Sequence, residues 1–336
     1  IYSNVSKVRD ALNLDLPIIK VNTSLESIAT IFERINSAGT RVKQADITLA
    51  YIAAWNAGWV RNKFLKYLEA LEDEGFSFDP TLLIRALTAV GEDKAILREV
   101  SDDFLRNERG SLDDAFHKLK RSLNRLIAEF KDVGILTSNI IYAKNVIIPL
   151  IYLYSKFESE FDFKKALLFF LLALWRGRYS GSAETTLHED IREIKESSSF
   201  NEALSKLIRK LNPSLIEKDN LRKAIHYQGE GRFYKLLLYL IVYRNKAADW
   251  FTKVRLGYTT RNEVNKDFVI EEHHFFPRSL LKSVGIESSD KIDLLANIVF
   301  INPGTNKRLR EEPHVYIKKF NIDRDELRKQ LIPLDE

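Results

Sequence analysis

The stretch Ile270-Glu271-Glu272-His273-His274-Phe275-Phe276-Pro277 places two adjacent histidines directly after a short apolar run. The run at 268–270 combines aromatic and β-branched residues, which predicts a short strand. Side chains that are neighbours on a strand point to opposite faces, but the backbone can twist where the strand ends. We therefore expect one imidazole to bind a metal ion while the other faces a substrate.

Two asparagines complete the pattern downstream. Asn297 comes directly before the apolar run 298–301, which predicts a second strand. Asn306 follows nine residues later at a turn-to-helix junction, and residues 306–309 are expected to open a helix. The order strand, loop, strand, helix predicts that His273 and the helix start form opposite walls of one small cleft.

These residue types suit the hydrolysis of a phosphodiester, which needs an activated water and stabilised negative charge. His274 is the candidate general base, because a neutral imidazole can take a proton near physiological pH. His273 and Asn306 are candidate ligands for Mg²⁺, Mn²⁺ or Zn²⁺. Asn297 is expected to tie down the loop, and Glu272 either binds the metal or orients an imidazole. Two structural histidines at a strand end are the alternative.

Three segments resemble the C-terminal HNH domain of GmrSD-type restriction endonucleases, a ββα-metal nuclease fold: EEHHFFPRSLL (271–281), LANIVFINPGTNKRL (295–309) and PHVYI (313–317). The resemblance matches His273 to the metal-binding position, His274 to the base, Asn297 to the middle asparagine and Asn306 to the last member. His273 departs from the acidic residue common in the family, which bears on metal preference.

The upstream chain extends the resemblance. IFERINSAGT (31–40) resembles a segment near the end of the family's ParB-like N-terminal domain, and WRGRYSGSA (175–183) resembles a segment of its helical middle. The resemblance implies a ParB-like remnant at 1–44, a helical domain at 45–256 and the HNH domain with C-terminal helices at 257–336. The family's Asp-Gly-Gln-Gln-Arg-like motif for nucleotide hydrolysis is absent, so we assign no NTPase activity.

Several further residues have both a functional and a structural interpretation. Asn36 and Gly39 either line a nucleotide pocket, as the resemblance suggests, or cap a helix. The segment Arg176, Arg178 and Tyr179 either contacts phosphate or ends a helix whose dipole favours cations. Four cations near the candidate site either hold DNA phosphates or form solvated faces: Lys307, Arg308, Arg310 and Arg278.

Most of the remaining chain has helical spacing, with apolar residues recurring at three and four. A short strand or extended segment is expected at 16–21, and Pro149 is expected to kink or split its helix. Asp323 and Glu326 predict a capping box. The fold is therefore predicted to be mainly α, a helical bundle-like body with a small C-terminal module. Helices are predicted near 23–35, 45–56, 59–73, 79–90, 111–131, 143–157, 163–176, 184–196, 200–211, 218–227, 231–245, 313–320 and 323–331.

Composition narrows the class of protein. The chain has no cysteine, which excludes disulfides and cysteine-bound zinc. Its longest apolar run, 166–175, is about half of what a membrane-spanning helix needs, and its polar start does not resemble a secretory signal, so a cytoplasmic location fits. The first residue is not methionine, so we expect an upstream segment. Residues 201–261 hold 13 Lys and Arg against 5 Asp and Glu, a surface that would attract a polyanion.

The sequence thus predicts a metal-dependent DNA endonuclease of a restriction or phage-defence system, and the resemblance implies that it acts on modified DNA. The cofactor would be a divalent cation, with Mg²⁺ or Mn²⁺ favoured over Zn²⁺. Two alternatives stay open: a non-catalytic DNA-binding module on a degenerate HNH scaffold, and an NTP-regulated effector. The sequence leaves the oligomeric state open.

Overall fold

A computed structural model describes residues 43–180, 183–212 and 231–334, together with Thr23, Ser27 and Ile31. Four of the predictions fall on residues that lie entirely or almost entirely outside the described ones: the strand at 16–21, the helix at 23–35, the pair Asn36 and Gly39, and the helix at 218–227. The ParB-like segment expected at 1–44 lies almost entirely outside them as well.

Helices form most of the described chain, so the prediction of a mainly α protein is confirmed. The helical body contains α1 (Gln44–Trp55), a π-helix (Val60–Leu65), α2 (Lys66–Asp73), α3 (Pro80–Glu92), α4 (Asp102–Leu105), α5 (Ser111–Val133), α6 (Ile147–Lys156), α7 (Phe163–Trp175), α8 (Ala183–Lys195), α9 (Phe200–Arg209) and α10 (Gly231–Arg244). Short 3₁₀ turns at Leu97–Glu99, Glu108–Gly110, Ser138–Ile140 and Lys144–Val146 connect them.

The long helix α5 is the centre of the body. One face of it is buried along its whole length, from Leu112 to Phe130, and it packs against α3 and α6. Helix α3 is buried even more completely, and its start is fixed by Asp79, whose carboxylate accepts a hydrogen bond from the Thr81 N–H. Burial of apolar side chains at this spacing supplies the main stabilisation of such a bundle.

Pro149 does not kink its helix. Helix α6 begins at Ile147 rather than at the predicted 143, after the 3₁₀ turn Lys144–Val146. Pro149 therefore lies in the first turn, where a backbone N–H has no partner within the helix and its loss costs nothing.

The C-terminal part mixes short elements. It contains β1 (Tyr258–Thr260), β2 (Glu263–Val264), β3 (Glu272–His274), α11 (Arg278–Ser283), α12 (Ser289–Ile292), a 3₁₀ turn (Leu295–Asn297), β4 (Ile298–Phe300), α13 (Pro303–Asn306), α14 (Pro313–Lys319) and α15 (Arg324–Lys329). Strands β1 and β2 pair antiparallel, and so do β3 and β4. The capping box of Asp323 and Glu326 is present at the start of α15.

Two boundaries predicted from the sequence are wrong. The strand expected at 268–270 begins only at Glu272, because the Phe268 N–H turns back to the Asn265 carbonyl and its ring enters the main core. The helix expected to open at 306 instead ends there: α13 starts at Pro303, whose fixed φ suits a first helical residue.

Two apolar cores enclose the β3–β4 ribbon. The main core of the helical body includes Phe268, Ile298 and Phe300, and the Phe300 ring meets Tyr239 edge to face at 5.8 Å. A second, smaller core holds Trp250 and seven C-terminal residues: Phe275, Val299, Ile301, Leu309, Tyr316, Ile322 and Leu327. Within the described residues, no helix is both long and apolar enough to cross a membrane.

Candidate active site

The side chains of β4 alternate between the two cores, and the pairing of β4 with β3 shows which face each side chain of β3 occupies. Ile298 and Phe300 pack into the main core, whereas Val299 packs into the second core. In the antiparallel register, His273 lies opposite Val299, and Glu272 lies opposite Phe300. Directly paired residues share a face of the ribbon. His273 therefore faces the second core and Glu272 faces the helical body, while His274, the last residue of β3, contacts Asp293.

His273 and Asn306 are in direct contact. The imidazole Nδ1 lies 2.9 Å from the amide Oδ1, and Nδ1 donates because an amide oxygen only accepts. The side chain is buried, and its edge meets the Tyr316 ring at 6.1 Å. Burial lowers the pKa of His273 below its usual 6.5, against the raising effect of the Asn306 bond and with a further lowering by His274. The imidazole is therefore neutral near pH 7.

The other nitrogen of His273 lacks a partner. Nε2 is buried and forms no hydrogen bond within the described chain. If the ring proton moves from Nδ1 to Nε2, the Nδ1 lone pair becomes available on the side where Asn306 presents its amide oxygen. In that tautomer the buried Nε2–H has no acceptor within the described chain, so Nε2 does not itself mark the cation site.

Asn306 is held in place by a buried carboxylate that sequence reasoning missed. Asp249 is fully buried, and its Oδ1 accepts the Asn302 N–H at 2.8 Å, while Oδ2 accepts the Thr305 hydroxyl at 2.7 Å. The Thr252 N–H and hydroxyl also donate to Oδ2, each at 2.8 Å. The two bonds from Thr252 orient the carboxylate, and the two from Asn302 and Thr305 fix the start of α13. Asn306 itself donates to the Glu272 carbonyl at 3.3 Å.

His274 has a carboxylate partner, Asp293, which the sequence did not single out. The His274 Nε2 lies 2.8 Å from the Asp293 Oδ1, and the side chain is 27% exposed. The carboxylate also accepts two hydrogen bonds from Arg278, at 2.7 and 2.9 Å. Partial burial acts to raise the pKa of Asp293, but the His274 bond and the Arg278 charge hold it below its usual value. Because Asp293 is ionised and accepts Nε2–H, Nδ1 of a neutral His274 keeps its lone pair.

The Asn297 side chain connects the residues that follow His274 to the segment that carries Asp293. Its buried Oδ1 accepts the Phe276 N–H at 2.8 Å, and its Nδ2 donates to the carbonyls of Phe276 and Ile292 at 3.2 and 2.9 Å. Its own carbonyl accepts the Phe275 N–H at 2.8 Å. The chain after His274 is thereby fixed to the segment that carries Asp293.

Glu272 is not brought to the His273–Asn306 pair. Its carboxylate lies on the other face of the ribbon and forms an ion pair with Lys235 of α10 at 2.7 Å. This contact links the ribbon to the helical body. The ligand role considered for Glu272 would require this ion pair to break.

The candidate phosphate-binding cations differ in what they contact. Arg278 is bound to Asp293, and the Arg308 guanidinium lies 4.0 Å above the Phe251 ring. Lys307 and Arg310 are exposed beside Asn306, and Arg310 Nε donates to the Lys307 carbonyl at 3.1 Å.

Two side chains that follow α7 bind the buried carboxylate of Asp190. Arg178 donates two hydrogen bonds to Asp190, at 2.7 and 2.6 Å, and the buried Tyr179 hydroxyl donates a third at 2.7 Å. Lys210 adds a fourth contact at 3.2 Å. Asp190 is fully buried, so these contacts provide the compensation that a buried charge needs. Arg176 is exposed.

The pair His273 and Asn306 fits a divalent cation in its donor set. Nδ1 and Oδ1 are 2.9 Å apart, an ordinary hydrogen-bond length, and both atoms would become available to a cation once Nδ1 has lost its proton. Mixed nitrogen and oxygen donors suit Mn²⁺ or Zn²⁺ better than Mg²⁺. In the ranges 43–180, 183–212 and 231–334, no three His, Asp or Glu side chains converge as a metal cluster.

Comparison with known proteins gives one distant relative and no family. No family model matches the chain. The chain is 22% identical over 323 residues to the uncharacterized protein MJ0686 of Methanocaldococcus jannaschii. That similarity covers 90% of this chain and 51% of the relative. The chain thus spans about half the length of the curated relative it matches.

Proposed function

We propose that the protein is a metal-dependent DNA endonuclease whose reaction takes place at the carboxyl end of β3. The observation that carries the proposal is the pairing of two polar units on adjacent residues. One unit is His274 with its carboxylate Asp293, and the other is His273 with the amide oxygen of Asn306. The resemblance of this segment to HNH nucleases supports a role in restriction or phage defence, with modified DNA as the substrate class.

His274 acts as the general base. Its Nδ1 takes a proton from water as the water oxygen bonds to phosphorus, and one bridging P–O bond breaks as its oxygen leaves with the electron pair. Asp293 holds the ring through Nε2 and stabilises the imidazolium that forms. A divalent cation bound by His273 and Asn306 would supply charge stabilisation for the phosphate and the leaving oxygen.

The surroundings of the site suit a polyanion. Lys307 and Arg310 project from the segment that follows Asn306, and both are exposed. Cations beside the reacting phosphate would position the DNA backbone without reading its sequence.

A second candidate is a DNA-binding scaffold that does not cut. The burial of His273, with 6% of its surface exposed, favours this alternative, because a metal ligand must be reached by the ion. The contact of Arg278 with Asp293 also favours it, since the cation competes with His274 for the carboxylate.

Nicking of supercoiled plasmid separates the two candidates. The proposal expects relaxed plasmid with Mn²⁺ or Mg²⁺, none with EDTA, and a loss of at least about 100-fold in rate for His274→Ala. His314→Ala is the matched control, because this imidazole is in the same part of the chain and 75% exposed. Metal-dependent nicking that survives His274→Ala would overturn the mechanism. DNA binding without nicking by the wild type would favour the scaffold.

A further inference from the structure

A cavity lies in the helical body, and the described residues that line it all fall between 43 and 184. Its volume is about 680 Å³, which is within the range of sites for small molecules. Three helices begin at its wall, α1, α3 and α8, and the 3₁₀ turn that leads into α6 begins there too. Helix N-termini carry partial positive charge, which favours an anion nearby, although the α3 start is already capped by Asp79.

The side chains around the cavity carry excess positive charge. Four cations line it against two carboxylates: Lys43, Arg85, Arg98 and Lys144 against Asp79 and Glu184. The charge of Asp79 is already compensated, because its carboxylate caps α3 and lies 3.4 Å from the Lys43 ammonium. The remaining carboxylate, Glu184, lies 3.4 Å from Arg85.

Three of these cations are incompletely compensated. Arg98 is exposed and makes no ion pair or hydrogen bond within the described chain. The Lys144 ammonium donates to the Ser77 carbonyl at 2.8 Å and has no carboxylate partner in the described ranges. Arg85 has a buried Nε without a hydrogen bond there, although its side chain reaches Glu184. Burial lowers the pKa of Lys144, which an anion in the cavity would reverse.

The cavity also offers an apolar wall. Tyr142, with 37% of its surface exposed, lies in the lining together with Leu82, Ala45 and Ala143. The segment after α7 forms another part through Tyr179 and Ser180. The network of Tyr179 and Arg178 around Asp190 fixes this part of the wall.

We propose that this cavity binds a small organic phosphate. Arg98, Lys144 and Arg85 contact the phosphate, and the organic part lies against Tyr142. Guanidinium groups match phosphate oxygens with two parallel hydrogen bonds, and an ammonium adds a point charge. The partial positive charge of the nearby helix starts adds to this attraction. This site does not depend on the proposed nuclease activity, since no residue of the β3–β4 ribbon lines it.

Calorimetric titration of the full chain tests the site with three probes: inorganic phosphate, ribose 5-phosphate and adenosine monophosphate. We expect adenosine monophosphate to bind at least about tenfold more tightly than inorganic phosphate, because only the former reaches the aromatic wall. Arg98→Glu should weaken this binding at least about tenfold, since it reverses a charge that touches the phosphate. The matched control is Arg61→Glu, an exposed arginine outside the cavity with the same charge change.

The outcomes are distinct. No binding of any probe at millimolar concentration overturns the proposal, and so does equal weakening by Arg98→Glu and Arg61→Glu, which would indicate unspecific attraction. Equal affinity for all three probes overturns the assignment of the organic part. Unchanged thermal unfolding of Arg98→Glu shows that a loss of binding is not a loss of the fold, and Lys144→Gln gives a second variant for the same comparison.

Discussion

His273 and Asn306 are 33 residues apart in the chain, yet the imidazole Nδ1 and the amide Oδ1 are 2.9 Å apart. Two structural features bring them together: the β3–β4 pairing positions the imidazole, and the hydrogen bonds from Asn302 and Thr305 to Asp249 position the start of α13. The same two atoms that share this hydrogen bond are a nitrogen and an oxygen donor that a cation could use once Nδ1 has lost its proton.

Replacing Asp293 with Asn should slow nicking by about 100-fold, because the ring of His274 loses the carboxylate that fixes its tautomer and stabilises its charge. The affinity for Mn²⁺ should be unchanged, since Asp293 does not contact His273 or Asn306. Plasmid-nicking rates with saturating Mn²⁺ check the first expectation, and Asp325→Asn on exposed α15 is the control. An equal loss in both variants, or a parallel loss of metal affinity, would contradict a positioning role.

Replacing Asp249 with Ala should lower the free energy of unfolding by about 2–4 kcal/mol, because four hydrogen-bond donors lose their acceptor in a buried place. Metal affinity should fall as well, since the start of α13 is no longer fixed. Urea denaturation measures the first effect, with Asp267→Ala, an exposed carboxylate, as control. A loss below about 1 kcal/mol would mean that the loop keeps its place without the carboxylate.

Replacing both Lys307 and Arg310 with Ala should weaken DNA binding uniformly across sequences. If each cation contacts one phosphate, the slope of log K against log salt should fall by about 0.9 for each. Fluorescence anisotropy over a range of salt concentrations measures this slope. Lys118→Ala, on the exposed face of α5, removes a charge from the helical body and should leave the slope unchanged. An unchanged slope in the double variant would exclude these cations from the interface.

Glu92 should make stability depend on acid pH. It accepts hydrogen bonds from the Ser101 N–H and hydroxyl, at 2.9 and 2.5 Å, and from Lys94 at 3.2 Å. Burial acts to raise its pKa, but these bonds lower it below 4.5. The unfolded state therefore binds the proton first, so the stabilisation is full above pH 4.5 and is lost as the pH falls through the folded-state value.

Replacing Glu92 with Gln should therefore cost about 1–2 kcal/mol at pH 7 and less at acid pH, because the charged acceptor is already lost there in the wild type. Thermal unfolding of wild type and variant over the acid range measures the difference. Glu99→Gln, at an exposed carboxylate in the following 3₁₀ turn, should show no such trend. A constant difference at all pH values would contradict this account of Glu92.

The helical body could be predicted from spacing because each helix buries one face. The positions of α3, α5 and α7 agree with the apolar periodicity within a few residues. The sequence does not predict the short helix α11. A helix of six residues is too short to be stable by itself, so tertiary contacts decide its conformation. The shift of β3 from 268–270 to Glu272–His274 has a similar cause, because the Phe268 ring is taken up by the main core.

The sequence indicated which residues of the ribbon carry chemistry, but not their partners. The contact of Asn306 with His273 follows from strand, turn and helix order. Asp293 could have been noticed as a carboxylate four residues before Asn297, but nothing in one sequence separates it from other surface acids. Asp249 could not be predicted for a different reason. It lies before β1, far from α13 in the sequence, and the two meet only in the folded structure.

The most direct test of the shared cation is Mn²⁺ binding followed by electron paramagnetic resonance on the full chain. The account predicts one bound ion, a loss of affinity of at least about tenfold for both His273→Ala and Asn306→Ala, and retained binding for His274→Ala. Equal affinity in all four proteins, or retained binding in Asn306→Ala with normal stability, would contradict a cation held between His273 and Asn306.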